Sequence, residues 1–154
     1  MEIDFKKRNT HRIAENKAEE WMNKRSLPFI RYGMDSLDSE LKIWKIPIFV
    51  RSAPDYIVFM GENEDKPMFL EAKGFRDIIR LKIRDMRTYW AWNEQLPILM
   101  LFYDITNKSY CETMYKDITH IIKTNKPNVG SYPESVDNKF YEIKVEWLPN
   151  FTTW

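Results

Sequence analysis

Two short apolar runs flank a polar turn between residues 56 and 73, and the second run carries charge inside it. Tyr56-Ile-Val-Phe-Met60 is followed by the polar stretch Gly61 to Lys66, and Pro67 then opens Met68-Phe-Leu-Glu-Ala-Lys73. Two runs of this length around a polar turn predict a β-hairpin. Ile57, Phe59, Phe69 and Leu70 make the hairpin apolar on both faces, so its second strand is expected to be central and buried. Charged groups in such a strand need partners or a metal. Because side chains alternate faces, Glu71 and Lys73 project together while Ala72 points away.

The spacing alone says little. An acidic residue followed two positions later by Lys occurs seven times, starting at Asp4, Glu15, Glu40, Glu64, Glu71, Asp137 and Glu142. Most such pairs are surface ion pairs, and context must separate them. Only Glu71 lies in an apolar strand behind a hairpin that opens on Pro54-Asp55. With the hairpin symmetric about Glu64, Asp55 lies opposite Lys73 and Glu71 is its diagonal neighbour. All three side chains then share one face, within reach of a common ion. A slip of one residue would send Asp55 to the other face unless a bulge restored it.

The rest of the chain reads as a mixed α/β domain spanning all 154 residues. Ile13, Ala14, Ala18, Trp21 and Met22 share one side of a helical wheel, which predicts an amphipathic helix over 10–25. Pro28 ends it, and 29–32 reads as a short strand. Residues 34–40 are turn-like, and 41–50 alternates as a further strand, with Pro47 marking an edge or a bulge. After Gly74 a long helix is expected from about Asp77 to Asn93, with Ile79, Ile83, Met86 and Trp90 as its apolar stripe. Ile98 to Tyr103 reads as a strand, Asp117 to Lys123 as a helix and Phe140 to Trp147 as a last strand. That order predicts a central mixed sheet flanked by helices.

Composition narrows the class. Six Trp, eight Tyr and nine Phe against four Gly are far from a disordered tail. A net charge of +1 gives no global attraction to polyanions, so any such site must come from local clustering. One cysteine, Cys111, cannot form an internal disulfide, and His11 and His120 lack zinc-site spacing. No run approaches the length of a membrane span. The expectation is a soluble, cytoplasmic protein without a membrane role.

Phosphodiester cleavage suits the carboxylates and the lysine. Hard cations take oxygen ligands, and two carboxylates at a strand end can hold Mg²⁺ or Mn²⁺. Such a metal polarises a phosphate and lowers the pKa of a bound water. A neighbouring lysine can orient that water and neutralise developing charge. The Ala72 carbonyl, between the two motif residues, can supply one more oxygen.

Pro54-Asp55, the sixteen-residue step to Glu71, and Glu71-Ala72-Lys73 resemble the core signature of the PD-(D/E)XK nuclease superfamily. Within it the chain is most similar to the archaeal and viral Holliday-junction-resolvase-like group, over about residues 10–105. The resemblance implies a restriction-endonuclease-like fold and a metal-dependent endonuclease. Its partner would be DNA, with branched or structured DNA as substrate, a 5′-phosphate in the products and two copies pairing as a homodimer. Asp55, Glu71 and Lys73 would be catalytic. Asp55, Glu71, the Ala72 carbonyl and an acid on the first helix would hold the metal. That acid is Glu15, which borders the apolar face beside Ala18 and Met22, with Glu19 as the alternative; Glu20 points away.

Arg76, Arg80, Arg84 and Arg87 fall along one flank of the predicted helix at steps of four, four and three. Such a stripe can neutralise phosphates without reading sequence. Lys82 projects from another arc, where the resembling families sometimes carry a basic or amide residue facing the metal. Tyr89, Trp90 and Trp92 together suggest base stacking, but Trp90, at helical spacing near the apolar stripe, is expected in the core. Two rival readings use the same residues. A nuclease-like fold could bind nucleic acid without cutting it, or an aromatic-rich domain could be an interaction module alone.

Overall fold

The computed structural model describes residues 2–33 and 45–154, with side chains from residue 12 onward. Helix α1 (Glu2–Lys24) starts well before the expected position 10. Its end is set locally: the N–H groups of Arg25 and Leu27 both donate to the Met22 carbonyl, and Ser26 takes φ 53°. Strand β1 (Phe29–Arg31) follows. Residues 34–44 lie outside the description, and with them the predicted turn over 34–40 and the start of the predicted strand over 41–50. The end of that strand is corrected, because Ile48–Arg51 form a short helical turn, α2, behind Pro47.

The predicted hairpin is present as β2 (Tyr56–Met60) and β3 (Lys66–Phe75), joined through Gly61 at φ 92°. Its register differs from the symmetric one by two residues. Tyr56 pairs with Leu70, so one further step puts Asp55 opposite Glu71 rather than Lys73. A two-residue shift preserves faces, so the same-face expectation stands.

The expected helix over 77–93 is two elements. Ile79–Lys82 form strand β4, and helix α3 runs only from Ile83 to Gln95. In β4, Ile79 and Leu81 are buried while Arg80 is exposed, a two-residue period that overrides the helical stripe. Pairing decides it, since β4 lies antiparallel to β8 (Ser135–Ile143) with Ile79 opposite Ile143. Trp90 is 64% exposed, a second correction. The predicted last strand also moves. It ends at Ile143, and Val145–Trp147 form a 3-10 turn.

The remaining elements are β5 (Ile98–Asp104), β6 (Ser109–Met114), α4 (Tyr115–Asn125), β7 (Val129–Tyr132) and β9 (Thr152–Thr153). They build a mixed sheet in the order β1-β2-β3-β5-β6-β9 and a smaller one in the order β4-β8-β7. The β3–β5 pair is parallel and the other pairs of the large sheet are antiparallel.

Alternation along β3 and β5 divides the core. Leu70, Ala72, Leu99 and Leu101 pack under Ala14, Ala18, Trp21 and Met22 of α1. On the opposite face Phe69, Ile98, Met100 and Phe102 meet Met86 and Tyr89 of α3 and Ile118 of α4. The result is the expected central mixed sheet between helices. No helix among the described residues is long and apolar enough to cross a membrane.

Candidate active site

Strand β3 lies between β2 and β5 and carries Glu71 and Lys73 on the face turned toward α3. Asp55 stands just ahead of β2, and four contacts tie it to its surroundings. Its Oδ2 accepts the Ala72 N–H at 2.8 Å, and its own N–H donates to Glu71 Oε2 at 3.2 Å. Its carbonyl accepts the N–H groups of Tyr32 at 2.8 Å and Gly33 at 3.1 Å. A Cβ at Gly33 would lie 3.1 Å from both Asp55 Cα and the Pro54 carbonyl oxygen, so that close approach favours glycine.

Glu71 is only 4% exposed. A carboxylate so deep requires compensation, and two donors converge on its Oε1: the Lys73 ammonium at 2.5 Å and the Tyr89 hydroxyl at 2.6 Å. Burial works against the Lys73 charge, but the carboxylates of Glu71, Asp85 and Asp55 outweigh it and raise its pKa above the ordinary lysine value. Burial, with the same three carboxylates, also holds the Tyr89 hydroxyl well above its usual value. Lys73 therefore stays an ammonium and Tyr89 a neutral donor throughout the physiological range.

Asp85 and Tyr89, both on α3, are the site residues that sequence reasoning missed. Tyr89 lies six residues after Ile83, where α3 begins, and beside Trp90, the aromatic that the helical stripe predicts as buried. Once the helix is known to start at Ile83, Met86 and Tyr89 at a spacing of three mark the buried face. Asp85 receives the Ser52 hydroxyl at 3.4 Å and the Arg84 guanidinium at 3.5 Å, linking α3 to the chain just before Pro54.

Asp55, Glu71 and Lys73 are thus brought together as expected. The Ala72 carbonyl joins them by register. The Ala72 N–H points toward Asp55, so its carbonyl faces the same side of the strand, and the position opposite is Pro54, which has no N–H to donate. Two carboxylates and a carbonyl are hard oxygen donors of the kind Mg²⁺ and Mn²⁺ take, so the donor set fits.

Glu15 comes from α1, whose hydrogen-bonded contact with the hairpin runs through Tyr56. The Glu15 backbone carbonyl accepts the Tyr56 hydroxyl at 3.4 Å, and the same hydroxyl donates to Glu19 Oε1 at 3.0 Å. Glu19 also pairs with Arg31 at 2.5 Å. Tyr56 belongs to the core under α1, on the sheet face away from Glu71. Among the described residues no three His, Cys, Asp or Glu side chains stand close enough together to hold a metal ion.

The arginines do not form one helical stripe. Arg76 follows β3, Arg80 lies on β4 with its guanidinium 5.0 Å from the Phe140 ring centre, and only Arg84 and Arg87 are on α3. All four are exposed, while Lys82 is half-buried at the end of β4.

No protein-family profile and no curated protein matches the sequence. The fold is similar to that of Hjc, a Holliday junction resolvase from the archaeal hyperthermophile Archaeoglobus fulgidus. The TM-score is 0.52 at 10% sequence identity, over 88% of this chain and 89% of that one. The chain therefore shares the mixed-sheet, nuclease-like architecture of that resolvase.

Proposed function

We propose that the protein is a metal-dependent DNA endonuclease of the PD-(D/E)XK kind that acts on branched DNA. The observation that carries this reading is the group of Asp55, buried Glu71 and half-buried Lys73 at the Pro54 end of the β2–β3 pair. A fold shared with a Holliday junction resolvase supports the choice of branched DNA.

In this reading Asp55, Glu71 and the Ala72 carbonyl would hold Mg²⁺ or Mn²⁺, with Glu15 of α1 as the further acid. A bound divalent ion supplies Lewis-acid stabilisation of the phosphate and a more acidic water. Water attacks phosphorus, the P–O3′ bond breaks, and the products carry a 5′-phosphate and a 3′-hydroxyl. The Lys73 ammonium, beside Glu71, orients the attacking water and offsets charge that builds on the phosphate. Tyr89 holds Glu71 Oε1 in place from the side of α3. Arg76, Arg80, Lys82, Arg84 and Arg87 contribute phosphate contacts from several elements. A homodimer would offer two sites to two strands.

The test is incubation with Mg²⁺ or Mn²⁺ and a labelled panel of branched, duplex and single-stranded DNA, beside Lys73→Ala. Cutting that requires metal, vanishes in the variant and favours branched DNA is expected. Retained binding without cutting on any substrate would replace this reading with a non-catalytic nucleic-acid-binding one.

A further inference from the structure

Next to the Asp55 end of the site the surface turns apolar. In α2 three consecutive residues, Ile48, Phe49 and Val50, are 38%, 39% and 40% exposed, unusual for a four-residue helical turn with no buried residue. This turn does not hang loose. The Phe49 ring stacks on Trp92 of α3 with centroids 4.6 Å apart and planes 1° from parallel, and the Trp92 indole N–H donates to the Phe49 carbonyl at 3.2 Å. Trp92 in turn meets the Tyr32 ring edge-on at 5.7 Å. Tyr32, itself 41% exposed, is the residue whose N–H is held by the Asp55 carbonyl. The aromatic chain Phe49–Trp92–Tyr32 is therefore fastened at one end to a residue of the site.

We propose that Phe49, flanked by Ile48 and Val50 and backed by Trp92, is a stacking platform for unpaired or unstacked nucleobases at the branch of the DNA substrate. The proposal rests on the nuclease reading and assigns the residues that would distinguish a branch from continuous duplex. Three observations select this occupant. Flat rings offer what a base needs, since stacking on an aromatic face tolerates any base identity. A rigidly backed apolar turn is also what a wedge between base steps requires, and such steps are already open at a branch. Finally, exposed cations lie on the two segments that carry the patch, Lys45 just ahead of α2 and Arg84 and Arg87 on α3, which also bears the exposed acid Glu94. Cations on the segments that present stacking rings suit a polyanion with accessible bases.

The experiment uses the full chain in a Lys73→Ala background, so that binding is read without cutting. A four-way branched DNA with 2-aminopurine at the branch point is compared with a linear duplex of the same length. Binding is expected to change the 2-aminopurine fluorescence at the branch. Phe49→Ala should reduce the affinity ratio of branched over linear DNA about tenfold and remove the fluorescence change. Phe49→Trp should restore both. Val50→Ser, which leaves the Phe49–Trp92 stack in place, should reduce the ratio less and keeps the test open if Phe49→Ala unfolds.

An unchanged ratio and signal in both Phe49→Ala and Val50→Ser would overturn the platform while leaving the nuclease reading intact. Sedimentation showing that Phe49→Ala converts a dimer to a monomer with the ratio intact would overturn it in favour of a second copy. No binding to any DNA and no metal-dependent cutting by the unmodified protein would remove the nuclease reading and this proposal together.

Discussion

The Tyr89 hydroxyl donates a 2.6 Å hydrogen bond to Glu71 Oε1, the same oxygen that faces the Lys73 ammonium. The donor comes from α3 and the acceptor from β3, so helix position and carboxylate orientation are coupled. Tyr89→Phe removes the donor and keeps the ring. It should cost about 1.5–3 kcal/mol of stability, the range for hydrogen bonds to charged groups. If Tyr89 positions Glu71, kcat should fall more than KM rises. Equal rates for variant and parent, with Tm lowered, would assign Tyr89 a structural role alone.

Lys73 and Glu71 should show strong coupling in a double-mutant cycle. Lys73→Met leaves a nearly buried carboxylate without its ammonium and is expected to cost about 3–5 kcal/mol, whereas Glu71→Gln combined with Lys73→Met should cost less than the sum of the two singles. Denaturant unfolding of the four proteins measures this. Additive losses would mean that the pair is not an energetic unit.

The raised Lys73 pKa also fixes the sign of a pH effect. A lysine whose folded pKa lies above its unfolded value of about 10.4 contributes stability that is fully present below that value and is lost as pH rises beyond it. The parent protein should therefore lose Tm more steeply above pH about 10 than Lys73→Met does. Parallel Tm profiles of the two proteins above that pH would contradict the raised value.

Asp55 and Glu15 should separate on mutation. Asp55→Asn removes an oxygen donor beside Glu71 and is expected to abolish metal-dependent cutting. Glu15→Gln, at the Tyr56 side of the sheet, should lower the rate by about tenfold or less, one such step being about 1.4 kcal/mol of barrier. Titrating Mn²⁺ against each variant would locate the loss. Identical metal affinities for Glu15→Gln and Asp55→Asn would mean that Glu15 ligates as directly as Asp55.

Arg84 and Arg87, exposed on α3, are expected to contribute charge without sequence preference. Replacing both by Ala should weaken binding alike across DNA sequences and reduce the log–log salt slope by about two. A slope unchanged within error would place the phosphate path elsewhere.

What the sequence determined by itself is the set of residues that share a face. The two-residue period of a strand puts Glu71 and Lys73 together, and Asp55 joins them in either hairpin register because the two differ by an even step. The helical period did the same for Ala14, Ala18, Trp21 and Met22, all of which lie in the core under α1. Tertiary structure decided which faces meet. Residues 79–82 carried a helical stripe that ran on into α3, and they became a strand because residues 140–143 lie alongside them. That pairing started α3 at Ile83, turned Tyr89 and Asp85 toward the carboxylates, and left Trp90 outside and Trp92 under Phe49. Local periodicity sets the direction of each side chain relative to its own backbone, whereas its partners depend on contacts between segments distant in the chain.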